Sequence, residues 1–276
     1  MAFTILEELE PGIHSITLNR PDRRNALGQQ ILVELHGIVD TLLADPTARV
    51  VILQGAGAGW CSGADIKGGD TEGLDAHPMA ALAQRVQGAI TRNFASQELM
   101  AGLFERIHRM RLPVIAAVNG PAHGGGFALS LACDIRIASP EASFGAVFIK
   151  RGVSACDMGS SYLLPRFVGA SRSAELLLTG RVFDAAEAER IGLLLDVVPR
   201  ENLLERALVT ARQITENPPL AVWMTKETMW QTVDAPSMRH ALDMENRTQI
   251  MCTATGELTE AFTAFREGRA ATWQPL

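Results

Sequence analysis

Apolar and polar positions along this chain follow two periods, and each switch between them marks an element. "FTILEEL", then Pro11-Gly12, then "IHSITLN" reads as two short strands around a tight turn, because proline and glycine favour reversal where the alternation breaks. A polar loop, "RPDRRNALG", follows. From Gln29 to Ala44 the apolar residues Ile31, Leu35, Ile38, Val39 and Leu42 recur at helical spacing, and Asp45-Pro46 ends that helix. Short β-branched runs at 49–54, 113–120 and 134–139 predict strands buried on both faces. Between the first two lies 55–112, which opens glycine-rich, stays polar and irregular to about residue 80 and then turns helical, a long connection that predicts a lid over 66–100. "DAAEAERIG" predicts a helix capped by Asp184, with Glu187 three residues later and Gly192 as the stop. "LLLDVV" predicts one more strand, and 200–267 three or more helices. The expected fold class is α/β, divided into a core over 1–199 and a helical region over 200–276.

Composition narrows the picture. With 276 residues, 47% of them hydrophobic, the chain can bury a full core. A net charge of −6 disfavours nucleic acid or an anionic membrane as the main partner. Cys61, Cys133, Cys156 and Cys252 lack CxxC spacing, so neither a metal site nor a disulfide framework is indicated, which fits a reducing cytoplasm. The acidic start "MAFTILEELEPG" is unlike a secretory signal. Residues 113–133 contain no Asp, Glu, Lys or Arg, yet Pro113, Pro121, Asn119, His123 and the glycines interrupt them, which argues against a membrane span.

Two stretches share one grammar: a buried strand runs into a glycine-rich turn. They are "VVILQGAGAGWCSGADIKG" (50–68) and "VIAAVNGPAHGGGFALSLACD" (114–134). Glycine allows close backbone approach, and the first amides of a helix point outward without partners, so two such turns meeting at one point would hold an oxyanion. Each turn taken alone needs its glycines for no more than tight reversal. Gly55-Ala56-Gly57 begins like a dinucleotide fingerprint, but Trp60 stands where the last glycine belongs, and no GxxxxGK[ST] occurs anywhere.

"NRPDRRNAL" (19–27), "WCSGADIK" (60–67), "NGPAHGGGFALSLACDIRIAS" (119–139) and "SFGAVFIKRG" (143–152) occur in an order that resembles the crotonase family, the enoyl-CoA hydratases and isomerases. The resemblance implies a spiral of ββα turns and a helical C-terminal region that builds trimers, often paired into hexamers. It also implies a coenzyme A thioester as substrate, with no separate cofactor and no metal. Carried over residue by residue, the oxyanion amides fall on Ala64 and Gly125. Arg24 and Lys67 fall near the phosphates, Ala26 on a backbone contact to adenine, and Ala64, Asp65 and Ile66 on the adenine and pantetheine wall. For Arg20, Arg23 and Arg24 a solvated loop is the plainer alternative.

The sequence departs from the family where the hydratases carry two glutamates, since those positions read Ala128 and Phe148. Neither can transfer a proton. Asp157, in "GVSACDMGSSYLLP", stands on the turn where isomerases and some carbon–carbon bond hydrolases of the family place an aspartate. Desolvation beside Met158 and an apolar helix would suit it as a base, while capping the helix at Gly159-Ser160 is its structural alternative. Glu245 sits amid the stripe Met238, Ala241, Leu242, Gln249 and Cys252, as an interface charge or a second active-site acid. His123 and Phe148 are candidates for acyl contact, and His14 reads as a surface residue. Proton transfer by Asp157 in an isomerase or lyase step is the leading expectation; carbon–carbon hydrolysis and a non-catalytic acyl-CoA-binding protein are the alternatives.

Overall fold

The structure, a computed structural model, describes residues 2–68 and 73–276. β1 (Thr4–Glu10) and β2 (Ile13–Leu18) pair antiparallel around Pro11-Gly12, where Gly12 takes a φ of +77° that an L side chain rarely adopts. α1 (Gln29–Ala44) leads to β3 (Val50–Gly55), and α2 (Pro78–Arg85) and α3 (Ala89–Arg109) lead on to β4 (Val114–Val118). From there each circuit contributes to a large sheet, a small sheet and a helical layer. β4 is followed by β5 (Ala122–His123) and α4 (Gly125–Ala132). β6 (Ile135–Ala138) is followed by β7 (Ser143–Gly145), α5 (Ser160–Val168) and α6 (Ala170–Thr179). β8 (Phe183–Asp184), α7 (Ala185–Arg190) and β9 (Asp196–Val197) close the spiral, and α8 (Leu203–Thr215), α9 (Pro219–Thr232), α10 (Met238–Thr253) and α11 (Glu257–Glu267) follow. The large sheet runs β1-β2-β3-β4-β6-β9, parallel from β2 onward, and the small one β5-β7-β8. The α/β spiral of ββα turns is therefore the fold.

Period-two alternation explains why the central strands are apolar throughout. Val51 and Leu53 of β3 and Val114, Ala116 and Val118 of β4 face one core with Leu35, Leu103 and Phe127, while Val50, Ile52, Ile115 and Ala117 face a second. That second core is closed by Leu203, Ala207 and Ala211 of α8. The sheet needs α8 to cover its outer face, so the core runs past the expected division at residue 199. The strand expected over "LLLDVV" shrinks to Asp196–Val197, because Leu193 and Leu194 turn into the core instead of pairing. Asp184 caps α7 by accepting from the Glu187 N–H at 2.8 Å, but the Glu187 carboxylate goes to Arg181 and the reciprocal half of the capping box is not made.

His14 corrects a surface expectation: it is buried, because β2 lies between β1 and β3 and both its faces are covered. α9 is fastened to the core by Lys226, whose Nζ is 2.8 Å from Asp134 Oδ2 and donates to the Leu112 carbonyl at 2.9 Å. Trp230 of α9 packs against His108 and Phe167 of its own chain. α10 buries no residue and α11 only Ala264, and Met238, Ile250, Phe262 and Phe265 stand exposed. Among the described residues no helix is long and apolar enough to cross a membrane.

Candidate active site

The two glycine-rich turns meet beyond the carboxyl ends of β3 and β4, where a parallel sheet leaves a crevice. Cys61 bridges Ala122, with the Cys61 N–H donating to the Pro121 carbonyl at 3.1 Å and the His123 N–H to the Cys61 carbonyl at 3.0 Å. Sterics lock the meeting. A Cβ on Gly126 would lie 2.0 Å from the Cys61 carbonyl oxygen, and one on Gly63 would lie 2.7 Å from the His123 carbonyl oxygen and 2.9 Å from the Gly125 nitrogen. Gly124 has φ +53° and ψ −120°, turning the chain from β5 into α4. Each glycine of the triplet therefore does something different: Gly124 turns the chain, Gly126 lets the loops touch, and Gly125 opens the helix.

Ala64 is held from the other side by Leu27. The Leu27 N–H donates to the Gly63 carbonyl at 2.8 Å and its carbonyl accepts from the Asp65 N–H at 3.1 Å, a parallel bridge that leaves the Ala64 N–H facing away from Leu27. The Gly125 N–H belongs to the first turn of α4, where amides have no intrahelical acceptor, and the first return bond is from the Ala128 N–H to the Gly124 carbonyl at 3.0 Å. Gly63, next to Ala64, lies in backbone contact with Gly125. Two amides that secondary structure leaves free stand near each other, with the positive end of α4 behind one of them.

The Asp65 side chain turns inward. Its carboxylate is buried and takes Arg20 Nη1 at 2.7 Å and the Lys67 N–H at 2.9 Å, with Arg23 at 3.6 Å. Burial pushes its carboxyl up, but the Lys67 amide and the Arg20 and Arg23 charges together hold it below the usual carboxylate range. Arg20 is accordingly buried rather than solvated. Arg24 (φ +51°), Ile66 and Lys67 stand exposed beside Ala64. Ala26 is buried, and its carbonyl accepts from the Gly28 N–H at 3.2 Å, which leaves its second lone pair for the backbone contact expected of it. His123 sets Nε2 3.0 Å from Ser143 Oγ; burial, then the Arg24 charge, hold its imidazole below the ordinary value and hence neutral near pH 7. Burial pushes the Cys61 and Cys133 thiols up to about 12, which rules them out as thiolate nucleophiles.

The side expected to face the acyl group is built from the segment before α5. Met158, at φ +48°, lays its terminal methyl carbon 3.6 Å from where a Gly125 Cβ would stand. Asp157 is the residue before it. Its Oδ1 accepts from the Met158 N–H at 2.8 Å and from Gln97 of α3. Asp157 is half-buried and Cys156 exposed, so the desolvation expected there is partial. Nor does Asp157 cap α5: the N-cap is Gly159, and it is Ser160 Oγ that accepts from the Asp157 N–H at 3.1 Å.

Residues 8–275 match the family model described as enoyl-CoA hydratase/isomerase. The chain belongs to the enoyl-CoA hydratase/isomerase family, within the crotonase superfamily. It is 39% identical to a protein of Mycobacterium bovis named probable enoyl-CoA hydratase, over 98% of this chain and 92% of that one. A probable enoyl-CoA hydratase/isomerase from Mycobacterium abscessus is 36% identical with a TM-score of 0.88, covering 99% of this chain and 98% of that one. A monofunctional enoyl-CoA isomerase from Mycobacterium smegmatis is 38% identical with a TM-score of 0.72, covering 88% of this chain and 99% of that one.

The pair of positions where the family's hydratases carry glutamates is apolar in space as well as in sequence. Ala128 is fully buried in α4, and the Phe148 ring lies 3.6 Å from where a Gly124 Cβ would stand. Glu245 is exposed on α10 and is not brought to the site within this chain. The lid expected over 66–100 includes 69–72, outside the described residues; of the rest, α2 is capped by His77, whose Nδ1 accepts from the Met79 N–H at 3.2 Å. Sequence reading missed Gln97 and the Arg20–Asp65 pair. Nothing in the periodicity of α3 singles out Gln97, which lies on the helix face opposite buried Ala95 and Leu99. Among the described residues no three His, Cys, Asp or Glu side chains converge to hold a metal ion.

Proposed function

We propose that the enzyme acts on an acyl-CoA thioester through an enolate held by the Ala64 and Gly125 amides, with Asp157 moving the proton. The observation that carries this reading is the position of Asp157: it supplies a half-buried carboxylate one residue from Met158, whose terminal methyl packs against Gly125, in a site where Ala128 and Phe148 stand in place of the family's glutamates. A thioester carbonyl seated on the two N–H groups gains negative charge as its α-carbon loses a proton, and fixed donors stabilise that charge without reorganising. Asp157 Oδ1 is engaged by two donors, so Oδ2 is the oxygen that takes the proton. Return of that proton to the γ-carbon of an unsaturated chain moves the double bond, and return to the α-carbon gives exchange. Isomerisation or a related lyase step therefore fits this site better than hydration by a glutamate pair.

Coenzyme A enters as part of the substrate, with exposed Arg24 and Lys67 available to its phosphates, so activity requires neither metal nor a separate cofactor. The exposed apolar side chains of α10 and α11 support a trimer or hexamer, with Glu245 at a subunit contact. Buried free thiols suit a cytoplasmic setting. The test is Asp157→Asn, which keeps shape and removes the base: turnover should fall ~10²–10⁴-fold while acyl-CoA affinity stays within a few-fold. A panel of saturated, unsaturated and 3-oxo acyl-CoAs, scored for double-bond migration, water addition and CoA release, identifies the reaction. Near-normal turnover by Asp157→Asn on the substrate so found would overturn the mechanism.

A further inference from the structure

Gln97 of α3 belongs to no motif of the oxyanion loops, and its side chain is exposed, yet its Nε2 donates to Asp157 Oδ1 across 60 residues of sequence. The residue before it is tied as well: Gln29 Nε2 donates to Ser96 Oγ at 3.1 Å. Gln29 opens α1, two residues after the Leu27 whose backbone clamps Ala64. Consecutive residues of one rigid helix thus reach the two halves of the site. Ser96 refers α3 to the oxyanion strand through Gln29 and Leu27, and Gln97 refers it to the carboxylate.

We infer that Gln97 is a positioning residue for proton transfer: it fixes the rotation of the Asp157 carboxylate so that Oδ2 faces the substrate α-carbon. The inference rests on the reading of Asp157 as the base. A carboxylate turns easily about its Cβ–Cγ bond, and the Met158 N–H alone, from the adjacent residue, restrains one oxygen from one direction. A second donor from α3, delivered to the same oxygen, restrains it from another. Because α3 is also pinned beside the oxyanion strand, the spacing between the proton acceptor and the carbonyl grip is set by a helix rather than by the loop that carries Asp157. Misplacement of a catalytic group by about 1 Å can cost as much as ~10²-fold in rate, so the orientation is expected to appear in the rate and not in binding.

The experiment follows exchange of the α-protons of butyryl-CoA in D₂O by mass spectrometry, for the full-length protein and for Gln97→Met, Gln97→Ala, Asp157→Asn and the Asp157→Asn/Gln97→Met double variant. Gln97→Met keeps side-chain length and removes the donor, and Gln97→Ala provides a second variant should the first disturb α3. Expected are an exchange rate lowered about tenfold or more by Gln97→Met, a KM for butyryl-CoA within about twofold of the parent, and no further loss when the same change is made on Asp157→Asn, because coupled groups are non-additive. A parent-like rate for both Gln97 variants, or equal fractional losses with and without Asp157, would overturn the role of Gln97 and leave Asp157 as the base. A parent-like exchange rate for Asp157→Asn alone would overturn the reading beneath it.

Discussion

The two halves of the site are held by different materials. The proposed carbonyl-binding half is backbone, set by glycines whose substitution meets main-chain atoms at 2.0–2.9 Å, and by strand bridges on both sides of residues 61–65. The proposed proton-transfer half is side chain: one half-buried carboxylate that accepts from an adjacent amide and from a glutamine of another helix. A grip made of main chain does not depend on which side chains surround it, provided that nothing larger than hydrogen stands at Gly63 and Gly126. On that proposal the acid–base half is rebuilt at three residues: Ala128 and Phe148 stand where the family's hydratases carry glutamates, and Asp157 supplies the carboxylate.

The severest test of this contrast is Gly126→Ala, in which the added methyl carbon has no room against the Cys61 carbonyl. The loops must separate, and we expect a loss of about 3 kcal/mol or more, read as a melting temperature roughly 6 °C lower or more, or failure to fold. Next is Arg20→Met, which leaves the buried Asp65 carboxylate without its closest cation. Breaking a buried pair from one side costs about 3 kcal/mol, and because Asp65 follows Ala64 the loss should also reach turnover. A Gly125→Ala variant sharpens the comparison from inside the triplet. Its nearest neighbours would be a Leu27 methyl at 3.3 Å and the Gly63 Cα at 3.5 Å, so stability should change by less than about 1 kcal/mol while turnover falls as the carbonyl seat narrows. A thermal melt unchanged in Gly126→Ala but collapsed in Gly125→Ala would reverse the assignment of the three glycines.

How much of this was visible in the sequence divides along the same line. The strands at 49–54, 113–120 and 134–139, the helix at 29–44 and both glycine turns were legible, because buried strands and steric glycines leave a signature within a few residues. The pairing of Gln97 with Asp157, and of Arg20 with Asp65, was not. Those contacts join residues far apart in sequence, and only the docked helix or loop brings them together. His14 was misjudged because its neighbours, Ile13 and Ser15, look like an edge strand until β1 and β3 enclose it. Glu245 sits on an apolar stripe that the chain by itself does not bury, so periodicity identified an apolar face without identifying its partner.

The smallest expected effect concerns pH and the helices above the side-chain half. His36 and His77 stack with ring centroids 4.2 Å apart. Burial first, then neighbouring charges including Arg106, hold both imidazoles below their ordinary value of 6.5, although the Leu99 carbonyl works the other way on His36. With the folded pKa depressed, the unfolded chain takes up protons first as pH falls, so stability is full above about 6.5 and declines below it until the folded-state values are reached. Melting temperatures recorded from pH 8 to pH 5 should show that decline. His77→Asn, which keeps a side-chain acceptor for the Met79 N–H but cannot titrate, should flatten part of it.

The Lys226–Asp134 pair has a consequence for how the polypeptide is made. Asp134 is laid down at the start of β6, and its buried carboxylate receives the Val114 N–H at 2.8 Å as soon as β4 and β6 align. The ammonium that neutralises it lies in α9, which leaves the ribosome much later. Until then a nascent chain with an otherwise closed spiral lacks the lysine that holds this carboxylate, and the groove meant for α9 stays open to water. Completion of the core is thereby deferred until α9 has been synthesised, and chains stalled before residue 226 should be the ones that chaperones and proteases find.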